Sequence, residues 1–284
     1  MMKYFLFVLV IAVVAFADND DCTDISSGAG SYPSDGDDIS TTVINEWEIF
    51  VCALGMDFFD LGTRSYFYVI DNNTNLLVLF NGGAGCIPLD SYNLDAANGS
   101  GFGVAWNFDG SEDTFYTDDS ENASLFFTDD NGSTWSTASN PAGIQGRGMD
   151  FDGTDYWTTN GNGGGVWRFL PGVGQQNIAT PELPTTPSGL TVFPYQSNLG
   201  IAVTCYQTFS IYFYVWDSST MTFLGSAPCP VSGLTKSYGL AYTGTTETFF
   251  WTYQDGSGNY HLAEFSMSTN ALEHSSWGAI KGSF

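Results

Sequence analysis

Gly148-Met149-Asp150-Phe151 decides the fold, because the chain writes its pattern five times. The other copies are Gly55-Met56-Asp57-Phe58, Gly103-Val104-Ala105-Trp106, Gly189-Leu190-Thr191-Val192 and Gly239-Leu240-Ala241-Tyr242. Their leading glycines are 48, 45, 41 and 50 residues apart. Each copy reads glycine, large apolar, small or polar, large apolar, which is the two-residue period of a strand. Behind each mark the unit holds roughly four strand-like runs. In the fourth unit these are 189–194, 200–207, 211–217 and 221–227. In the last they are Tyr238 to Thr243, Thr248 to Tyr253, Tyr260 to Met267 and Ala271 to Ile280.

Four short antiparallel strands at a period of about 40 to 50 residues is the pattern of a β-propeller. One such sheet cannot bury both of its apolar faces, but sheets set radially around an axis bury each other. Five marks predict five blades, with a sixth blade built from both termini as the alternative. The fold class is therefore all-β, with an extended N-terminal arm. The leading glycine is expected where neighbouring backbones come close. The small or polar position is expected where inner strands crowd the axis.

A second stretch, Thr128-Asp129-Asp130-Asn131-Gly132-Ser133-Thr134-Trp135, follows the apolar run Leu125-Phe126-Phe127. An apolar run, an Asn-Gly turn and a new strand opening on Thr-Trp predict a hairpin. Asn131 and Gly132 suit the positive φ of a tight turn, and Asp130 can accept turn amides. The spacing resembles the Asp-box of sialidase-type β-propellers, with Thr128, Asp130, Gly132, Thr134 and Trp135 at its defined positions. The resemblance implies a structural turn in the outer hairpin of a blade. Sialidases also clamp a carboxylate with three arginines. This chain has only Arg64, Arg147 and Arg168 and lacks their arginine-containing opening motif, so that activity is not expected.

The chain opens Met1-Met2-Lys3, runs apolar from Tyr4 to Phe16 and reaches Ala15-Phe16-Ala17. This reads as a signal peptide over 1–17, since the run is shorter than the ~18 residues that span a bilayer. Secretion, with no membrane insertion after cleavage, is the expectation. Residues 18–40 read as an acidic Ser/Gly-rich arm, and 41–284 as the propeller with a closing or exchanged strand at 41–50. That strand either closes the ring on the last blade, extends a blade edge, or adds to a neighbour's sheet. Six Lys+Arg against 31 Asp+Glu give a net charge of −25, which repels phosphate backbones and excludes nucleic acid as a partner.

Five cysteines in a secreted chain suggest disulfides plus one left over. Shared repeats pair Cys52 with Cys86 and Cys205 with Cys229, leaving Cys22 free or intermolecular. Four Asn-x-Ser/Thr patterns begin at Asn72, Asn98, Asn122 and Asn131.

No catalytic set stands out. The two histidines, His261 and His274, have no Gly-x-Ser-x-Gly elbow to serve and read as surface or turn residues. No zinc pattern exists. Calcium suits the acidic loops at Asp18–Asp24, Asp118–Glu121 and Asp129-Asp130, but none has an EF-hand ladder, and they read as solvated turn acids. No cofactor is expected. The weak catalytic candidates are Asp57 and Asp150, which share one position in units one and three. Five-bladed propeller glycosidases use acids from several inner strands at the axial funnel, and the resemblance implies a pair of acids there. Ala105, Thr191 and Ala241 fill the other equivalent positions. The reading is a non-enzymatic secreted propeller for binding or self-assembly at the cell surface, with a surface protein, a glycan or itself as partner. The alternative is a carbohydrate-binding protein or divergent glycoside hydrolase using the axial acids.

Overall fold

The computed structural model describes residues 39–60, 65–82, 86–108 and 113–269. Twenty strands form five four-stranded antiparallel sheets, arranged as a five-bladed β-propeller. No helix occurs among the described residues. The first strand, β1 (Ile39–Ile49), is completed last in the ring. Blade 1 is β2 (Ala53–Asp60), β3 (Ser65–Asp71), β4 (Leu76–Asn81) and β5 (Pro88–Asn93). Blade 2 is β6 (Gly101–Phe108), β7 (Asp113–Asp119), β8 (Ser124–Thr128) and β9 (Ser136–Ser139). Blade 3 is β10 (Gly146–Phe151), β11 (Tyr156–Asn160), β12 (Val166–Leu170) and β13 (Gly174–Ile178). Blade 4 is β14 (Pro187–Tyr195), β15 (Asn198–Cys205), β16 (Ser210–Trp216) and β17 (Met221–Pro228). Blade 5 is β18 (Leu234–Thr243), β19 (Thr248–Asp255), β20 (Tyr260–Thr269) and, outermost, β1.

β1 runs antiparallel to β20, from Ile39 opposite Thr269 to Ile49 opposite Tyr260. The strand that looked surplus in the sequence thus closes its own ring. The run Ala271–Ile280, expected as the fourth strand of blade 5, lies outside the described residues, and β1 holds that outer place. Thr41 Oγ1 also donates to the carbonyl of Pro228 at 3.1 Å, tying the closing strand to blade 4.

The core is five interfaces, one between each pair of blades. Phe58, Phe67, Phe80 and Phe250 fill the space between blades 5 and 1, with Phe67 and Phe80 stacked at 5.3 Å. Trp251, Phe249, Phe265, Phe193 and Phe213 do the same between blades 4 and 5. Each large buried side chain is worth about 1.5–3 kcal/mol relative to exposure, so the aromatic interfaces carry the ring.

The repeated glycine sets how close the blades come. In every inner strand the register slips at the mark, as between Ala53 and Met56 or Ser237 and Leu240. A Cβ on Gly55 would land on the Phe102 carbonyl oxygen, and one on Gly148 on the Leu190 amide. The same holds around the ring, ending with Gly239, whose Cβ would lie 2.9 Å from the Leu54 carbonyl oxygen. The expected close approach is therefore the reason for the mark.

The octapeptide 128–135 joins β8 to β9 as the outer hairpin of blade 2. Asp130 Oδ1 accepts the Thr134 amide at 2.8 Å and the Thr128 hydroxyl at 2.8 Å. Thr128 Oγ1 accepts the Gly132 amide at 3.0 Å. Asn131 and Gly132 take φ of 56° and 76°. The Trp135 indole donates to the Asn93 carbonyl at 3.1 Å, clamping the turn to blade 1. These hydrogen bonds to the ionised carboxylate hold Asp130 below the usual carboxylate range.

The cysteine pairing is corrected. Cys86, Cys205 and Cys229 are free buried thiols. Cys205 packs between blades 3 and 4 and Cys229 between blades 4 and 5, so one sheet separates them. Cys86 sits between blades 5 and 1, whereas Cys52 lies against Leu54, Phe102 and Tyr238 at the axis. Cys52 is disulfide-bonded. Cys22 and the arm 18–38 lie outside the described residues. Of the glycosylation patterns, Asn72 and Asn98 are buried and hydrogen-bonded, to the Gly101 carbonyl and the Thr117 hydroxyl. Asn131 is exposed.

Candidate functional site

The inner strands β2, β6, β10, β14 and β18 place Asp57, Ala105, Asp150, Thr191 and Ala241 at one equivalent position. Period-2 alternation turns the preceding residue toward one neighbouring blade and this position toward the next. In blades 2 and 5 the position is apolar. Ala105 packs with Tyr116, Met149 and Tyr156, and Ala241 with Phe250 and Leu262.

In blades 1 and 3 it is an acid, and both acids are buried. Asp57 Oδ1 accepts the Phe58 amide, and Oδ2 accepts the Trp106 amide of blade 2, both at 2.6 Å. Asp150 Oδ1 accepts the Phe151 amide at 2.6 Å. Its Oδ2 accepts the Thr191 hydroxyl and the Val192 amide of blade 4, both at 2.7 Å. Each carboxyl thus ties its own inner strand to the next one. The inner strands β2 and β10 approach within 8 Å across the axis.

Burial pushes the Asp57 carboxyl well above its ordinary value, and the charge of Asp150 raises it further. Burial also pushes Asp150 up, to about 6, against the opposing hydrogen bonds from Val192 and Thr191. Two like charges facing each other across a narrow axis resist simultaneous ionisation. Beside them, the Asn107 amide donates to the Tyr156 hydroxyl at 3.4 Å. Tyr156 lies against Tyr116, ring centroids 4.5 Å apart, and feels the charge of Asp57. Trp106, Asn107, Phe151, Val192 and Tyr242 are half-buried, so solvent reaches the ends of the inner strands there.

The opposite end of the axis is closed by side chains just before the glycines. Leu54, Phe102 and Tyr238 form a buried cluster, with the Arg147 guanidinium 4.2 Å from the Phe102 ring centroid.

Asp57 and Asp150 are the two sequence candidates that the fold brings together. The arginines are not: Arg147 is axial, Arg168 pairs with Asp155 on blade 3, and Arg64 lies outside the described residues. His261, read as a surface residue, is mostly buried and sits between Asp255 (Nε2 to Oδ2, 3.2 Å) and Glu46, stacked on Tyr253. His274 lies outside the described residues. Asp118 and Asp119, read as solvated turn acids, are buried. Asp118 accepts the Gly103 amide at 2.6 Å, and burial raises it to about 7. Its equivalents Thr204 and Thr252 accept the Gly189 and Gly239 amides, so aligning second strands would have revealed its role. Among the described residues no group of three or more His, Cys, Asp or Glu side chains is placed to hold an ion. Tyr156 escaped sequence reading because its position opposite the mark, held elsewhere by Phe67, Phe115, Ile201 and Phe249, reads as apolar core, and Asn107 because the residue after the mark varies from blade to blade.

No protein-family model matches the chain, and no curated protein does. Solved structures do match in fold. The glutaminyl cyclase of Myxococcus xanthus superposes with a TM-score of 0.57 at 15% identity, over 83% of this chain and 99% of that one. A GH43_1 enzyme from Xanthomonas citri complexed with xylotriose gives 0.57 at 10% identity, over 80% and 89%. At such identities the likeness concerns the fold and not the residues of a site.

Proposed function

We propose that this protein is a non-enzymatic, extracellular propeller that binds a neutral carbohydrate at the axial end around Asp57 and Asp150. The observation that supports this most is the placement of two mutually opposed carboxyls where the same fold accepts alanine at Ala105 and Ala241. Burying a facing pair of acids works against stability, and strongly perturbed groups gather where ligands bind. Backbone amides hold both carboxyls fixed, leaving lone pairs for hydroxyl donors. Asn107, Tyr156 and the half-buried Trp106 and Tyr242 add the polar tips and ring faces that sugars use. A net charge of −25 selects against anionic ligands. Binding is favoured over turnover because every carboxyl oxygen already holds an N–H. The other three equivalent positions, Ala105, Thr191 and Ala241, supply no third acid. A glycan array followed by calorimetry on the wild type and Asp150→Asn tests the reading. Loss of binding in a folded variant supports it, and no glycan binding by the wild type defeats it.

A second reading, a divergent glycoside hydrolase, has one specific observation behind it. Two buried carboxyls face each other across the axis, and Asp57, raised further by the charge of Asp150, is the one held as the acid. The GH43_1 enzyme of the same fold was solved with a xylose oligomer. Release of reducing sugar from xylan or aryl glycosides, lost in Asp57→Asn, would select it over the binding reading.

A further inference from the structure

We infer that strand β13, the outer edge of blade 3, is a strand-addition site for an extended, cationic segment of another protein. This surface lies at the rim and is independent of the axial acids. A sheet edge presents unpaired N–H and C=O groups, and proteins blunt such edges with bulges, prolines, charges or very short strands. Four of the five outer strands are blunted in this way. β5 begins at Pro88, carries Asp90 and is bulged opposite Leu79 and Phe80, and its Asn93 carbonyl is taken by the Trp135 indole. β9 has only four residues. β17 is bulged opposite Phe213 and Tyr214 and ends at Pro228. β1 is bulged between Val43 and Asn45 and carries Glu46 and Glu48. β13, Gly174-Gln175-Gln176-Asn177-Ile178, has no proline and no charge, and its register with β12 is unbroken.

The edge is also open among the described residues. β13 is the last strand of its sheet, and Gly174 to Asn177 are exposed. The Ile178 carbonyl points at Gly165, beside β12. Alternation then turns the N–H and C=O of Gln176 inward as well, and those of Gln175 and Asn177 outward. Val173, 78% exposed, stands at the head of the strand.

The ground beside the edge sets what the added strand must be. Gln176 lies opposite Arg168, and Arg168 opposite Trp157, which packs against blade 4. Gly174, Gln176 and Ile178 therefore face blade 4. There a cavity of about 540 Å³ is walled by Gln176, Ile178, Pro181 and, from blade 4, Ser219, Thr220 and Met221. Alternate side chains of an added strand would hang over it, and Ile178, Pro181 and Met221 suit an apolar one. Two smaller cavities, of about 280 and 330 Å³, extend it past Gln176 and Arg168. Exposed acids adjoin both walls, Glu182 after Pro181 and Asp217 ahead of Ser219. The Arg168 guanidinium is already held by Asp155. A lysine or arginine flanking the apolar residue is therefore favoured, whereas a second copy of this chain, itself at −25, is repelled.

Panning a phage library of random peptides, about twelve residues long, on the immobilised full-length protein supplies the probe. Enriched clones should alternate apolar and polar residues and carry lysine or arginine at the flanks. Their labelled synthetic peptides, followed by fluorescence anisotropy, should bind the wild type at least about tenfold more tightly than Gln175→Pro. Proline there removes an outward N–H and leaves the β12–β13 hydrogen bonds intact. Glu182→Lys, at an exposed position, should weaken binding severalfold at low salt. If Gln175→Pro does not fold, Asn177→Pro and Glu182→Lys make the same comparison. No enrichment, or equal affinity for the wild type and the edge variants, overturns the inference. Light scattering that shows a wild-type dimer lost in Gln175→Pro would assign the edge to a second copy and overturn it too.

Discussion

At one inner-strand position blades 1 and 3 carry an acid and blades 2, 4 and 5 do not. Asp57 and Asp150 stand where the others have Ala105, Thr191 and Ala241. The five backbones are otherwise equivalent there, with the same glycine, the same register slip and the same large apolar neighbours. The ring therefore closes with or without an acid. The alanine blades show what architecture requires, and the acid blades show what has been added to it. The addition is unfavourable for folding, because two buried carboxyls face each other and both are driven toward the proton-bound form.

The comparison can be broken at its shared part first. Gly148→Val should abolish cooperative folding, since its side chain would meet the backbone of blade 4. Overpacking against fixed backbone costs several kcal/mol, on the order of the whole stability of a domain. A soluble variant with a sharp thermal transition would show that the glycine mark does not set blade spacing.

Exchanging the two kinds of blade gives the next largest effect. Ala105→Asp would bury an acid among Tyr116, Met149 and Tyr156 and should destabilise by roughly 3 kcal/mol or more. Asp57→Ala turns blade 1 into an alanine blade but strips the acceptor from the Trp106 amide. The loss should be about 1–3 kcal/mol, reduced by removing the repulsion with Asp150. Urea titration of both variants checks the order, and equal losses would erase the distinction between the blades.

The pH dependence sharpens the same point. Asp150 rises from 3.8 to about 6 on folding, so between those values the folded state holds more protons than the unfolded chain. Its contribution to stability is therefore largest at low pH and is lost as pH rises from about 4 to 6. The difference in stability between wild type and Asp150→Asn should fall across that window. Asp118, raised from 3.8 to about 7, adds a slope of the same sign from about pH 4 to 7, which both proteins share and the difference removes. A flat difference would mean that Asp150 is not perturbed.

The smallest effect is expected at the outer hairpin. Asp130 is held below 3.8, the opposite direction, so its contribution is present at neutral pH and lost as pH falls below about 4. Asp130→Ala should lower the melting temperature slightly at pH 7 and by less as the pH falls below about 4, as followed by circular dichroism.

The ring was legible because its glycines are needed by geometry and recur at the blade period. What the sequence hid was adjacency across termini and faces. Ala271–Ile280 reads as a strand as well as residues 41–50 do, and only pairing shows that β1 takes the outer place in blade 5. Cys205 and Cys229 share a repeat, but a strand's residue number does not reveal which interface its neighbour faces. Asp57 and Asp150 could be read because they interrupt a repeated pattern. Tyr156 could not, because its repeated position opposite the mark is otherwise filled by apolar core residues, and Asn107 could not, because the residue after the mark follows no pattern.

The central claim is that the axial acids hold a ligand and are more than stitches between blades. Titration calorimetry of the wild type and Asp150→Asn against an array-selected neutral oligosaccharide tests it directly, with the melting temperature of each recorded alongside. The account predicts saturable binding to the wild type and at least about tenfold weaker binding to a folded Asp150→Asn, the loss of one good hydrogen bond to a charged group. Equal affinity in the two proteins would contradict it and leave the carboxyls as latches.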